Sequence, residues 1–405
     1  MPQLASQAIK IIQNEVKFYK TEIINIEDSS HRVLAQDIYA KNSLPAYDIS
    51  SMDGYALRFD NPSDILDTKG KIFAGDEPKY ALEKGQTYKI MTGAILPKFC
   101  TLVVPQEQVE ILENEKIKVP KDLKQNQFIR LAKEDIKIGE LLISKNDEID
   151  FSKIAILASQ GISHIKVYQK AKVGIFSSGS ELKNHYESIK PFQIYNSNSP
   201  SLQARVKELG HNSIFLGLSD DKPDSLKNLI KSGLDCDLIV SSGGTSVGEA
   251  DFTRSAFSSF DFDYLIDGIY IKPGKPSFFG KIKNTYVLSL PGNPLASALI
   301  FEYLGKLILQ KLSGSKNKYF SFIETKLKNS IDVRNKTTIV AGFFDGQSFE
   351  PSLKSSPAMV KVLDGCNGIL IIDSEVKHLE KGSTVKVLPL AWKFFTQIKK
   401  DYFIR

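Results

Sequence analysis

Apolar residues recur along this chain in two rhythms, and the rhythm changes with position. Leu4, Ala8, Ile11, Ile12 and Val16 fall at helical spacing, which predicts an amphipathic helix over residues 4–16. From about Ser43 to Arg130, short β-rich runs such as KIFAG, TYKIMTG and TLVVPQEQVEIL alternate with turns holding Gly, Pro and Asp. That pattern predicts a small β domain. The stretch DFSKIAILASQG, residues 150–161, predicts a helix with Asp150 as N-cap and Gly161 as stop.

Beyond Ala171 strands and helices take turns. Val173–Phe176, Ile214–Leu218, Leu238–Ser241 and Val287–Leu290 are apolar runs of strand length. The intervening segments carry helical signals. Ser199-Pro200 opens one helix, with Ser199 as its N-cap and Gly210 as its stop. Leu226, Leu229, Ile230 and Leu234 form a second stripe, a third helix follows Asp251, and a long one runs from Leu295 to about Leu312. This alternation implies a mostly parallel sheet with helices on both faces. After Ser315 short strands and turns return, giving a second β domain of roughly ninety residues. The fold class is therefore α/β multidomain, a central α/β domain with β domains on either side.

Composition narrows the class. A chain of 405 residues suggests about two or three domains. With 42% hydrophobic and 25% charged residues, wholesale disorder is excluded. Cys100, Cys236 and Cys366 are isolated, which argues against a disulfide framework and a structural zinc site and suits a reducing compartment. The net charge of +6 comes without any basic run, so no nucleic-acid partner is expected, while small anions are. The N-terminal segment lacks a secretory layout. The longest uncharged run, Asn284 to Phe301, holds Pro291-Gly292-Asn293-Pro294 in its middle, so it reads as strand, turn and helix and not as a membrane span. A soluble cytoplasmic protein is expected.

In an open parallel sheet, ligands bind beyond the carboxyl ends of the strands. Three loops leave that edge: Ser177–Glu181, Ser242–Asp251 and Pro291–Pro294. Their small residues let main-chain N–H groups close on an anion in front of electropositive helix ends. The candidate binding residues are Ser178, Gly179, Ser242, Gly243, Gly244, Thr245, Ser246, Gly248, Pro291, Gly292 and Asn293. Carboxylates stand beside them, Glu181 and Asp251 at loop ends, with Asp220 and Asp221 after another strand. Carboxylates beside an anion site require a bridging cation, and magnesium binds through one or two carboxylates plus substrate phosphates. Each acid also has an ordinary reading as a helix cap, which for Asp220 and Asp221 alone is the stronger one.

In Lys272-Pro273-Gly274-Lys275-Pro276 a stiff turn holds two ammonium groups at a fixed separation, suited to several oxyanions or to a solvated turn. Asp53, in Ser51-Met52-Asp53-Gly54-Tyr55, and Thr92, in Thr92-Gly93-Ala94, are ordinary turn residues out of context. His31, His164, His185, His211 and His378 share no metal-binding spacing and read as structural or surface residues.

Taken in order, LPAYDISSMDGYAL (44–57), IMTGAILPKFCTLVVPQEQ (90–108), VGIFSSGSEL (173–182), IYNSNSPSLQARVKELG (194–210), LIVSSGGTSVGEADF (238–252), IKPGKPSFFGK (271–281) and LSLPGNPLASALIFEYL (288–304) resemble the molybdopterin molybdenumtransferases, the bacterial MoeA proteins to which the C-terminal domain of gephyrin is related. The resemblance runs from about residue 4 to 312 and less clearly beyond. It implies a linker and dimerisation domain from residues 1–43 with 132–168, an inserted β domain at 44–131, a molybdopterin-binding α/β domain at 169–312 and a C-terminal β domain at 313–405. It also implies insertion of molybdate into adenylylated molybdopterin, releasing AMP, assisted by Mg²⁺ in a homodimer. By the same resemblance Asp53, Thr92, Glu181, Asp220, Asp251, Lys272 and Lys275 are catalytic, and Glu181, Asp251 and Asp53 hold the metal. The molybdopterin adenylyltransferase and molybdoenzyme chaperones are the implied partners. Relatives often carry Lys where Gly268 stands, Arg at Ala341, and Ser at Pro357. An adenylyltransferase and a non-catalytic cofactor-binding or scaffold paralogue are the alternative readings.

Overall fold

The computed structural model describes residues 2–17, 20–61, 63–220, 222–244, 252–333, 335–352 and 356–391. Its centre is a six-stranded sheet in the order Asn212–Ser219, Lys172–Ser178, Leu238–Ser242, Thr285–Leu290, Phe278–Ile282, Asp263–Asp267. The first four strands are parallel and the last two antiparallel. The four parallel strands are those marked by apolar runs. The antiparallel pair was not, because FDYLID and FFGKI are short and set among Gly and Pro.

Helices cover both faces. On one, Leu202 and Val206 of the helix Asn198–Glu208 pack with Val173, Ile175, Val240 and Leu288. On the other, Leu226 and Ile230 of Pro223–Gly233 pack with Phe176, Ile239 and Phe257. The predicted Leu295–Leu312 helix is one continuous rod in three parts: Pro294–Ile300, a π-helical turn Phe301–Gly305, and Lys306–Leu312. All five residues of the π turn are buried. Burying Phe301 alone contributes about 2–3 kcal/mol. The N-terminal helix Ala5–Glu15 lies against this rod, and Tyr303 donates to the Ala5 carbonyl at 2.9 Å.

One expected helix start moves by two residues. The helix begins at Asn198, so Ser199 and Pro200 sit inside its first turn. The Ser199 N–H is taken by Asn196 Oδ1 at 3.1 Å, while the Ser199 hydroxyl lies 2.7 Å from that of Ser177. Asn196 thus does the capping that Ser199 was expected to do. Asp150 caps Phe151–Ser159 as predicted, accepting from the Lys153 N–H at 3.0 Å. The Ser152 hydroxyl and then the Lys153 N–H hold its carboxyl well below the usual range.

Three outer units surround the centre. Thr21–Asn25 pairs with His164–Tyr168, and Ile38–Tyr39 with Leu141–Ile143, around a core of Leu34, Ile143, Ile149, Leu157 and Val167. The inserted unit is a six-stranded sheet in the order Leu102–Pro105, Gly54–Leu57, Gln86–Ile90, Ile65–Ile72, Lys116–Lys118, Glu110–Ile111. A further sheet in the C-terminal region takes Ile271–Lys272 from the central segment as its edge strand, beside Thr337–Phe344. Among the described residues no helix is long and apolar enough to cross a membrane.

Candidate functional site

The carboxyl ends of Lys172–Ser178, Leu238–Ser242 and Thr285–Leu290 open into a cleft of about 760 Å³. Ser178, Gly179, Glu181, Ser242, Gly243, Gly244, Pro291, Gly292 and Asn293 all line it, so the topology gathers the three loops as expected. Thr245, Ser246, Gly248 and Asp251, with Asp221, lie outside the described residues.

Small side chains bind these loops to one another below the floor. Ser177 donates to Asn196 Oδ1 at 3.1 Å, and Ser241 donates to Ser289 Oγ at 2.8 Å across adjacent strands. Asn198 is the central tie: its Nδ2 donates to Ser242 Oγ at 2.7 Å and to the Gly292 carbonyl at 2.8 Å. Ser242 in turn donates to the Pro291 carbonyl at 3.1 Å. Bulk is excluded from the turn itself. A Cβ on Gly243 would stand 2.1 Å from the Ser178 carbonyl oxygen, and φ there is +96°. Only glycine lets the chain turn there with the Ser178 backbone so close.

Two helices start at the cleft, at Asn198 and at Pro294. The Ser199 N–H is taken by Asn196 Oδ1, Pro294 has no N–H and the Leu295 N–H is taken by the Pro357 carbonyl, so these ends offer the cleft the partial positive charge of the helix dipole. Glu181 is the one carboxylate among its described lining residues, and its side chain folds over Gly179, whose Cβ would lie 2.7 Å from Oε2. The cleft therefore offers an anion two positive helix ends and small Gly and Ser residues that let it approach, with a single acid at the edge.

The other predicted residues are placed around this cleft and do not line it. Asp220 follows the edge strand Asn212–Ser219, is exposed, and receives Lys222 Nζ at 2.5 Å, an ion pair that lowers its carboxyl pKa. Lys272 and Lys275 are exposed on a turn whose next residue, Pro276, does line the cleft. The Lys275 carbonyl accepts from the Ile269 N–H at 3.0 Å, and Gly274 packs its backbone onto Ile300, so Pro273 and Gly274 anchor the turn to the central rod. Asp53 and Thr92 belong to the inserted sheet. Asp53 Oδ1 accepts from the Thr92 N–H at 2.7 Å and from its hydroxyl at 2.8 Å. These bonds, the backbone one foremost, hold the Asp53 carboxyl below its usual range.

Magnesium can be tested against these donors. Among the described residues no three His, Cys, Asp or Glu side chains gather as a protein cage. Glu181 alone in the cleft fits the mode in which one or two carboxylates share the ion with substrate phosphates.

Several cleft residues were not singled out from the sequence. Asn196 and Asn198 stood in the quoted IYNSNSP motif without a role. Ala358 and Val360 reach the cleft from the C-terminal region, where the Pro357 carbonyl accepts from the Leu295 N–H at 3.0 Å. Position 357 is thus a contact to the start of the central rod. Ala341 is buried in its strand, and Gly268 turns the chain by donating to the Ser277 carbonyl at 3.1 Å.

A four-stranded parallel core whose Gly- and Ser-rich loops close over helix N-termini defines the class: residues 174–311 match the family described as "Probable molybdopterin binding domain", and residues 5–161 match the "MoeA N-terminal region (domain I and II)". A molybdopterin molybdenumtransferase of Haemophilus influenzae is 33% identical over 388 residues, 91% of this chain and 94% of that protein. One from Bacillus subtilis is 28% identical, covering 96% and 94%. Two crystal structures of a molybdopterin biosynthesis MoeA protein from Pyrococcus horikoshii superpose with TM-scores of 0.84 at 31% identity and 0.79 at 25%, covering 97% and 96% of this chain and all of theirs. The chain belongs to the molybdopterin molybdenumtransferase (MoeA) family.

Proposed function

We propose that this protein inserts molybdate into adenylylated molybdopterin, releasing AMP and the molybdenum cofactor. The observation that carries the reading is the cleft itself, walled by the small residues of three loops and by two helix N-termini, in a chain that matches its family over nine-tenths of its length. Such a wall suits the pyrophosphate-type linkage of the substrate. The pterin brings its own dithiolene sulfurs, so the protein has only to position reactants and stabilise charge. Cys100, Cys236 and Cys366 lie outside the cleft and are free thiols, in keeping with a cytoplasmic setting.

In this scheme the Gly244 N–H and the positive helix ends at Asn198 and Pro294 face phosphate oxygens, Gly243 makes the turn that lets them approach, and Asn198 keeps the Ser242 and Gly292 loops in register. Ser178, Gly179, Pro291 and Asn293 complete the wall. Lys272 and Lys275, at the rim, meet molybdate. Glu181 and Asp251 would hold Mg²⁺, which when bound neutralises charge on the phosphates as AMP departs. Asp53 and Thr92 act from a second subunit of a homodimer, because no described residue of the inserted domain lines the cleft of its own chain. Asp220 positions water at the edge.

The test is AMP release from adenylylated molybdopterin by the purified protein with Mg²⁺, molybdate present or omitted. Molybdate-dependent release is expected. Tight substrate binding without release would replace this reading with a cofactor-holding role.

A further inference from the structure

The inserted β domain has a concavity of its own, separate from the cleft. Strands Ile65–Ile72, Gln86–Ile90 and Lys116–Lys118 border a depression of about 370 Å³ lined by Lys69, Lys71, Lys89 and Lys116 with one acid, Glu115. Two of the four lysines are partly neutralised, since Asp67 lies 4.0 Å from Lys69 Nζ and 3.8 Å from Lys116 Nζ. Lys71 and Lys89 have no such partner: among the described residues no carboxylate lies within 4 Å of either ammonium group.

Their juxtaposition is built by a register shift. Thr68 pairs with Thr87, so a regular ladder would place Gly70 opposite Lys89. An extra residue in Ile65–Ile72 brings Lys71 there in its place. Bulges of this kind re-aim side chains and cluster near binding sites. The result is a pair of like charges directly opposite each other, an arrangement that destabilises a sheet. An anion between them turns that repulsion into two charge-assisted bonds. Thr92 follows Lys89 by three residues, so the strand that carries Lys89 leads on to the Asp53–Thr92 pair.

We propose that this depression binds a phosphate-bearing small anion between Lys71 and Lys89, with Lys69 and Lys116 turning from Asp67 to complete its coordination. The inference does not depend on the proposed reaction. Its concave shape and volume, at the small end of ligand pockets, suit a pyrophosphate or a nucleotide phosphate.

Inorganic pyrophosphate is the probe, with the full-length protein and residue-by-residue acetylation of lysines read by mass spectrometry. Pyrophosphate should slow labelling of Lys71 and Lys89 about five-fold or more and leave the distant Lys137 and Lys281 unchanged. In the double variant Lys71→Gln, Lys89→Gln, the concentration that half-protects Lys116 should rise about ten-fold. Lys71→Gln alone should melt at or above the parent temperature without ligand, because it relieves the repulsion; that result also shows the variants fold. Equal labelling of Lys71 and Lys89 with and without pyrophosphate would overturn the proposal. So would uniform protection of all exposed lysines, which is simple screening, or an unchanged half-protection of Lys116 in the double variant.

Discussion

The carboxyl edge of the central sheet and the tip of the inserted sheet both carry motif residues, yet they hold them in opposite ways. At the central edge, Ser177, Ser242, Asn196 and Asn198 are buried or half-buried and bonded to one another, so the loops above them have little freedom. At the tip, Asp53 is exposed and its carboxylate is held by Thr92. The first region is a finished wall in one subunit. The second is a pre-set charged group with no wall around it. Structural dependence therefore concentrates at the cleft, while the Asp53 tip can be altered with the fold intact.

The sharpest way to break this contrast is a matched pair of glycine changes. Gly243 and Gly75 share nearly the same φ, +96° and +93°, but a Cβ on Gly75 meets nothing within 4 Å. Gly75→Ala should lose about 1–2 kcal/mol from backbone strain, whereas Gly243→Ala adds a clash with the Ser178 carbonyl and should lose 4 kcal/mol or more, roughly. Urea unfolding of both proteins measures the difference. Equal losses would mean that the Ser178 contact is not tight.

Acid should separate the regions next. His211, at the opposite edge of the central sheet, is buried, and its Nδ1 accepts the Ala171 N–H at 3.1 Å, which requires the neutral ring. Burial first, then the nearby charges of Lys170 and Arg32, push its pKa down from 6.5 to about 4. The unfolded chain thus binds the extra proton between these values, and stability falls as pH drops from about 6.5 to 4, by up to about 3 kcal/mol. Asp53, with a lowered pKa, keeps its bonds through that range and loses them only below its unfolded value of 3.8. Stability measured against pH in the parent and in His211→Gln checks this, with the slope expected to flatten in the variant.

Asn198→Ala is a smaller insult. It removes the ties to Ser242 and Gly292 and should cost about 1–2 kcal/mol, with a fall in AMP release that exceeds any fall in the amount of folded protein. Asp53→Asn should leave the melting temperature unchanged and abolish release. The proposed homodimer then sharpens the comparison: co-refolding Asp53→Ala with Glu181→Ala should restore about a quarter of the parent rate, since in that assembly half of the dimers would carry one intact composite site. No recovery would place both residues in the same subunit's site.

Much of this was legible in the order of residues. The four parallel strands, the Asp150 cap and the turn within Asn284–Phe301 follow from local pattern, because strand length, cap chemistry and Pro-Gly turns are local properties. Asn196 displaced Ser199 as the cap because its side chain also meets a neighbouring strand, which spacing does not encode. Ala358 and Val360 carried no signal at all; they reach the cleft because the C-terminal region docks against the start of the central rod.

The chain's own pattern thus determined a mostly parallel sheet, its flanking β units and the three anion-suited loops, since each depends on periodicity and turn chemistry within a few residues. Tertiary structure alone decided which of those residues share one cleft. It set Glu181 inside and Lys272, Lys275, Asp220 and Asp53 at the rim or beyond. It also placed Lys71 opposite Lys89 through one extra residue in a strand. Distance between side chains far apart in sequence is fixed by packing and register, and no local rule carries that information.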